Sequence, residues 1–425
     1  MTDTEKHQEA SVKGASSSGT LRALFANRNY TLYTMANGIS LVGLWIQRLA
    51  VGWLAWQLTN SALWLGVIAF ADLCPTLVVG PFAGALADRH SRLRVAWVTQ
   101  VMAFAQAVTL CVMTWTGAIT IWWLLLLTFL LGVFHGAGQP ARLALVASLV
   151  HRENLGTAIA FNSVVFNSAR FAGPALAGVV ITTMGIAPAF LMNALSFLGL
   201  VVVLPRLKLP QATPKKRPES SLLADVAEGF RYCFGNASIG PLLLMMMAAS
   251  VLAAPVAELL PAFADEVFGR GAAGLAWLTS ATGIGAAIGG IWLTQRRSLV
   301  GLTTIAFASL LVLGGSLLVF AATSNFWVAV AAMTVMGLGR LLSGVGVQTL
   351  IQTAVEEQMR ARVMSLYGVL FRSGPALGAL AMGGLSGALG LRWPVVMGAT
   401  LCIAVWLLMR RQRRQMVLLL EAPET

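Results

Sequence analysis

The sequence predicts an all-α membrane protein, with twelve transmembrane helices in two pseudo-symmetric six-helix bundles. Three observations predict it. First, the chain is 57% hydrophobic and only 11% charged, where a soluble protein carries about 25% charge. That much apolar surface needs lipid as its solvent. Second, the apolar residues fall in runs long enough to span a bilayer, about 20 residues each. Third, Lys and Arg fall in every second loop, the bias of segments held on the cytoplasmic side. The net charge of +13 is therefore spread along the chain. A nucleic-acid binder would gather it on one face, so no nucleic-acid partner is expected.

Residues 1–25 read as a polar, Ser-rich cytoplasmic tail. They hold no apolar core of a cleavable signal, so the first span is expected to act as an uncleaved anchor. The N-terminal bundle is expected over 26–205, with spans centred near Val42, Val78, Phe104, Leu130, Phe166 and Leu195. The C-terminal bundle is expected over 239–410, centred near Met247, Gly283, Leu310, Val335, Leu370 and Thr400. Gly and Pro interrupt several spans, as membrane helices tolerate. Between the bundles, 206–238 forms a cytoplasmic linker. It opens with Pro, Lys and Arg, then carries Leu222, Leu223, Val226, Phe230 and Phe234 at helical spacing. That pattern predicts a short amphipathic helix on the membrane surface. Residues 411–425 form a second cytoplasmic tail. The intervening loops carry only Arg270 and Arg392, which places both termini and the linker in the cytoplasm. Cys74, Cys111, Cys233 and Cys402 have neither metal nor redox spacing, and no disulfide is expected.

The two halves echo each other. Gly132, His135 and Val150 recur as Gly337, Arg340 and Val355, each 205 residues on. Arg170, Gly173 and Pro174 recur as Arg372, Gly374 and Pro375 with a slipped offset. This order implies two six-helix units related by an axis along the membrane normal.

One short basic turn between the second and third spans carries Gly84, Asp88, Arg89, Ser91, Arg92 and Arg94. Small residues make it tight, arginines keep it cytoplasmic, and Asp88 holds the arginines or faces a helix N-terminus. The pattern resembles the signature loop of the major facilitator superfamily, with Ser91 where the family usually has Gly. The segment from Gln139 through Arg142 to Val150, then Asn162, Gly173, Pro174 and Gly178, resembles one bacterial branch of it. That branch contains the enterobactin exporter and macrolide efflux proteins. The resemblance runs from about Asn27 to Arg410 and implies an alternating-access exporter in the bacterial inner membrane. It implies proton coupling, a monomer and no cofactor. It also assigns conformational gating to Gly84, Asp88, Arg89, Arg92, Gly173, Pro174 and Gly178. The Gly173–Pro174–Gly178 cluster resembles an antiporter motif; ordinary small-residue packing is the alternative. The corresponding turn near Arg296 lacks an acidic residue, so gating rests on Asp88.

Ionisable groups inside a span cost roughly 3 kcal/mol each, so each is a candidate for the substrate or proton path. They are Arg48, Asp72, His135, Arg170, Glu258, Arg340 and Arg372, with Arg142 a further candidate nearer the cytoplasm. Arg48 lies twelve residues before the first outer turn at Asn60, and Asp72 twelve after. At 1.5 Å per residue both sit about 18 Å below that turn, which predicts an ion pair across adjacent helices. Either it neutralises two costly charges, or Asp72 takes a proton and releases or recaptures Arg48. Counting from the turns near Glu153 and Glu357 brings His135, Arg170, Arg340 and Arg372 to one depth. Four arginines then face Asp72 and Glu258. Either the excess charge binds an anionic substrate such as a siderophore, or the arginines bond carbonyls freed by Gly and Pro. His135 titrates near neutral pH or is simply hydrogen-bonded in place. Glu258 lies toward the outer end of its helix, to release protons or to reach interfacial water. Trp45, Trp53, Trp56 and Trp64 anchor at the interface or stack a substrate.

Other function classes are disfavoured. The chain has no His-Glu-x-x-His, Gly-x-Ser-x-Gly or clustered metal ligands, so no enzyme, metal or cofactor is expected. All five lysines lie in tails or linker, and none follows a phosphate-loop pattern. A non-transporting sensor or scaffold needs a soluble domain, which a loop of about 30 residues cannot supply. The expected partners are a small-molecule substrate, protons and lipid, with hydrophobic multidrug or macrolide-type cargo as the alternative to an anion.

Overall fold

A computed structural model of the chain describes residues 24–89, 91–207, 228, 230–233, 235–236, 238–296 and 300–421. The first six spans are α1 (Arg28–Thr59), α2 (Ala62–Arg89), α3 (Arg92–Trp115), α4 (Ile121–Leu149), α5 (Leu155–Met184) and α6 (Ile186–Val203). The second six are α7 (Ile239–Val267), α8 (Gly271–Thr294), α9 (Leu302–Ala322), α10 (Phe326–Ala354), α11 (Glu357–Leu389) and α12 (Arg392–Met409). Eleven of these are long and apolar enough to cross a membrane. The other, α2, is 28 residues long.

Short polar residues start and stop the helices. Asn27 caps α1 by accepting from the backbone N–H groups of Asn29 and Tyr30. Its own amide donates to the Leu149 carbonyl at 2.8 Å, tying the end of α4 to the start of α1. Asn60 ends α1 in a left-handed conformation, φ 46°. Thr120 and Asn325 cap α4 and α10. Ser91, the departure from the family's glycine, caps α3 by accepting from the Arg94 N–H. A hydroxyl there satisfies a donor that glycine would leave to water.

The internal repeat has a packing counterpart. A Cβ at Gly132 on α4 would come within 2.5 Å of the Asp72 carbonyl oxygen on α2. A Cβ at Gly337 on α10 would come within 2.0 Å of the Thr282 carbonyl oxygen on α8. Repeat-related glycines thus let repeat-related helices touch, the close approach that membrane helices use in place of a hydrophobic drive. Inside the N-terminal bundle, Gln47 links α1 to Gln106 on α3 and Asn193 on α6 through buried amide hydrogen bonds of 3.2 and 2.6 Å.

The bundles meet along glycine seams. Gly66 on α2 lies against Ala379 on α11, and Gly383 on α11 against Ala62 on α2. Gly178 on α5 lies against Ala276 on α8, and Gly283 on α8 against Phe171 on α5. These contacts lie between mid-helix and the face opposite the basic loops. On the basic side the helices part: every residue of α5 from 159 to 168 is exposed or half-buried. A helix with one lipid face and one packed face would bury some of them. The crevice between the bundles therefore opens toward the basic loops and is shut on the opposite face.

Three local features differ from plain spans. Helix α7 contains two π turns, Ala249–Ala253 and Phe263–Val267, on either side of Pro255 and Pro261; proline removes the N–H that an α-helical ladder needs there. In the linker, the described residues Glu228 and Phe230–Cys233 are helical, while Leu222, Leu223, Val226 and Phe234 lie outside the described residues. Glu228 pairs with Arg362 of α11 at 2.9 Å. Burial raises the thiol of Cys233 above its ordinary range, and all four cysteines are free. Much of the C-terminal tail is a further helix, α13 (Arg413–Leu420). Beyond it, Glu421 accepts from the N–H groups of Gly301 and Thr303 at 2.6 and 2.7 Å, placing a carboxylate on the start of α9.

Candidate functional site: a charged crevice between the bundles

Arg48 stands at the centre of the closed seam. Its guanidinium Nη2 lies 3.9 Å from Asp72 Oδ2 on α2 and 2.8 Å from Glu258 Oε1 on α7. The Asp72 contact lies within its own bundle; the closer Glu258 contact crosses to the other. Helical spacing extends this contact into a ladder toward the closed face. Gly52 lies one turn beyond Arg48 and abuts Pro261. Trp56 lies one turn further and donates from Nε1 to Asp265 Oδ2 at 2.8 Å. Residues 48, 52 and 56 share one face of α1, and 258, 261 and 265 share one face of α7. Three rungs thus hold α1 against α7 on the closed side. The sequence put Glu258 toward the outer end of its helix, with interfacial water in reach; in the fold its carboxylate is turned inward onto Arg48.

Trp45, expected as an interfacial anchor or a substrate platform, packs between two cations. The Arg48 and Arg170 guanidiniums lie 5.5 and 5.9 Å from the centre of its ring. Phe166 meets it edge-on at 6.0 Å. Gly173 explains the fit: a Cβ there would come within 2.4 Å of the Trp45 Cβ. Two guanidiniums on one indole are held by cation–π attraction, so Trp45 brings Arg170 of α5 to the charged centre. Trp53 and Trp56 are buried, whereas Trp45 is half-buried. Trp64 meets Trp122, which is well exposed near the start of α4, where interfacial anchoring fits.

The remaining charges divide. Arg340 on α10 lines a narrow cavity with Ser343, Phe371, and Met246, Ala249 and Ser250 of α7. Among the described residues Arg170 and Arg340 make no hydrogen bond or ion pair. Arg372 on α11 donates to the side-chain oxygen of Gln139 on α4, a further link across the bundles outside the α1–α7 ladder. His135 stands apart: its ring meets Phe197 edge-on at 6.4 Å, and its charged neighbours are Arg142 and Arg48. The four residues expected at one depth therefore do not form one cluster. Four arginines face two carboxylates, and the excess positive charge is suited to an anion. Of the expected gating residues, Gly173 packs on α1 and Pro174 is buried. Gly178 packs across the seam on α8. Arg92 opens α3 behind the Ser91 cap. The side chains of Gly84, Asp88 and Arg89 lie outside the described residues.

Residues 20–418 match the sequence model of the transmembrane secretion effector family. The chain belongs to this family of major facilitator transporters. It is 25% identical over 374 residues to the staphyloferrin A transporter of Staphylococcus aureus, covering 86% of this chain and 91% of that one. It is 29% identical over 360 residues to the enterobactin exporter EntS of Shigella flexneri, covering 83% of each. Among solved structures it resembles a bacterial homologue of the human lysosomal transporter Spinster, with TM-score 0.70, 14% identity, and 92% and 98% of the two chains covered. It also resembles the nucleoside transporter NupG, with TM-score 0.67, 12% identity, and 90% and 98% covered. The protein is thus a multi-pass membrane transporter of small molecules, and no enzyme.

Several residues that build this transporter's site carry weak sequence signals. Asp265 sits at a helix mouth, where an acid is unremarkable, and Gln139 is an uncharged residue inside a span. The best available signal was periodicity: Arg48 and Trp56 share a face of α1, as Glu258 and Asp265 share one of α7.

Proposed function

We propose that this transporter exports a small organic anion in exchange for protons across a bacterial inner membrane. It works as a monomer with the basic loops, both termini and the linker in the cytoplasm. On that orientation the present state is open to the cytoplasm and shut outside. The single observation that carries the reading is Arg48 held between Asp72 of its own bundle and Glu258 of the other. While the outer face is closed, Glu258 bonds Arg48 at 2.8 Å and Asp72 stands 3.9 Å from it. Opening the outer face draws α7 from α1, and Arg48 falls back on Asp72. Glu258, now without its cation in a poorly solvated cleft and facing the outer medium, takes a proton. Closure returns Arg48 to Glu258 and expels that proton toward the open, cytoplasmic side. Each cycle carries a proton inward, and cargo loaded from the cytoplasm leaves on the outward swing.

Arg170, Arg340 and Arg372 supply the charge for an anionic cargo. The likeness to a staphyloferrin A transporter and an enterobactin exporter supports a siderophore-like compound. The test is efflux from proteoliposomes under an imposed pH gradient, with matched anionic and cationic substrates. Arg340→Gln is expected to lower anion efflux about tenfold, the weight of one charge-assisted contact, and to spare cations. Equal loss of both removes the anionic cargo from the reading.

A further inference from the structure

The last helix leaves two leucines in the open beside a run of cations. Helix α13 packs on α9 and α10. Met416 and Leu420, four residues apart and so on one face, are buried there. Glu421 accepts from the Gly301 and Thr303 N–H groups, and Arg413 donates to the Thr304 hydroxyl at 3.1 Å. That seat accounts for one face of the helix. The opposite face carries Arg414, Gln415, Leu418 and Leu419, and the two leucines are 73% and 55% exposed. A helix of 8 residues does not hold its shape alone in water, and bare leucines there cost free energy.

The charges point to the same surface. Arg410, Arg411, Arg413 and Arg414 are all exposed, and none makes an ion pair among the described residues. Glu421, the acid nearest to them in sequence, is turned away onto α9. Arg410 lies over the Trp406 ring at 6.0 Å, and Leu407 and Leu408 between them are exposed at the end of α12. The lipid-facing end of a span therefore adjoins the four cations directly. Arg296, over the Trp292 ring at 5.5 Å, donates to the Val300 carbonyl and brings a fifth exposed cation to the start of α9. Topology alone calls for the arginines; it does not call for leucines among them.

We infer that the outer face of α13 is a docking surface for anionic phospholipid in the leaflet on the basic-loop side, with headgroup phosphates on Arg411 and Arg414 and acyl chains against Leu418 and Leu419. A soluble anion would satisfy the arginines and leave the leucines wet. A zwitterionic bilayer would cover the leucines and offer the arginines no net charge. An anionic lipid does both. Lipid on this face holds the helix, and with it the Glu421 carboxylate, on the start of α9. The inference stands apart from the transport cycle, since no residue of the Arg48 centre or of the crevice enters it.

The test is hydrogen–deuterium exchange of residues 410–421 in the full-length transporter, in nanodiscs of phosphatidylglycerol or of phosphatidylcholine. Backbone exchange there is expected to be about tenfold slower in phosphatidylglycerol, and about 0.5 M salt is expected to remove the difference. Each arginine near the surface is worth about fivefold, so Arg411→Gln combined with Arg414→Gln is expected to bring the two lipids level. Leu418→Ser combined with Leu419→Ser is expected to speed exchange in both lipids and keep their order. Glu421→Gln loosens the seat alone, so exchange is expected to quicken in both lipids while phosphatidylglycerol stays slower; this separates a lost lipid contact from a lost helix. Equal exchange of wild type in both lipids, or a lipid difference that survives the arginine pair, overturns the surface. Protection by soluble polyglutamate in phosphatidylcholine discs, with none from phosphatidylglycerol, overturns the lipid and assigns the face to an acidic protein.

Discussion

Arg48 has two carboxylates within reach, and they belong to different bundles. That makes the two acids unequal in what their loss should do. Glu258→Gln removes the shorter contact and the only one of the pair that crosses the seam. Proton-driven efflux is expected to fall to background, because no group remains to trade Arg48 for a proton. Asp72→Asn removes the fallback partner and leaves Arg48 unpaired whenever the outer face opens. Arg48 is half-buried, so leaving its charge unpaired costs less than in a fully buried site, and efflux is expected to slow about tenfold. Rates measured in proteoliposomes at two pH gradients check both. A normal rate with normal proton dependence in Asp72→Asn removes Asp72 from the coupling. Arg48 and Asp72 were legible in the chain because one tight turn joins their helices, so depth follows from counting. The partnership with Glu258 was not. It joins residues 210 apart, and which faces of two bundles dock is decided by tertiary packing, with no trace in local spacing. Trp45 stayed open for a related reason: a tryptophan in a span reads as an interfacial anchor or a substrate platform, and only the fold shows it half-buried beside Arg48 and Arg170.

Helices here touch through glycine, and the seams are where substitutions should be felt. A Cβ at Gly66 would come within 2.4 Å of the Ala379 carbonyl oxygen, and one at Gly178 within 2.2 Å of the Ala276 Cβ. Backbone cannot yield as a side-chain tip does, so Gly66→Val is expected to destabilise by about 1–3 kcal/mol. A fall of several degrees in the detergent-extracted melting temperature would register it. Gly199 meets nothing within 4 Å, so Gly199→Val serves as the control and should leave that temperature unchanged. Equal effects at both sites would mean the seam is not close-packed. The same logic reaches α13. Removing residues 413–425 deletes the Glu421 carboxylate from the start of α9. The C-terminal bundle is then expected to lose about 1 kcal/mol, read as a small drop in melting temperature that Glu421→Gln reproduces in part. The chain announced all twelve spans, since apolar length and alternating basic loops are coarse signals that lipid enforces. It did not announce the π turns of α7, because Pro255 and Pro261 state only that the α ladder breaks and not how the backbone recovers.

Across the whole molecule, the polar network of Gln47, Gln106 and Asn193 stiffens one bundle from within. The contacts between bundles are fewer and concentrated on one face. A rigid half and a breakable seam are what alternating access requires. The ladder from Arg48–Glu258 to Trp56–Asp265 is the part of that seam tied to charge, and the account stands on its opening when Glu258 loses its charge. Spin labels at Ala118→Cys and Ser324→Cys, one on each bundle at the closed face, measure that opening directly by pulsed dipolar spectroscopy. A short distance is expected at neutral pH that lengthens on acidification, and a long distance at both pH values in Glu258→Gln. A distance unchanged by acid and by Glu258→Gln would contradict it.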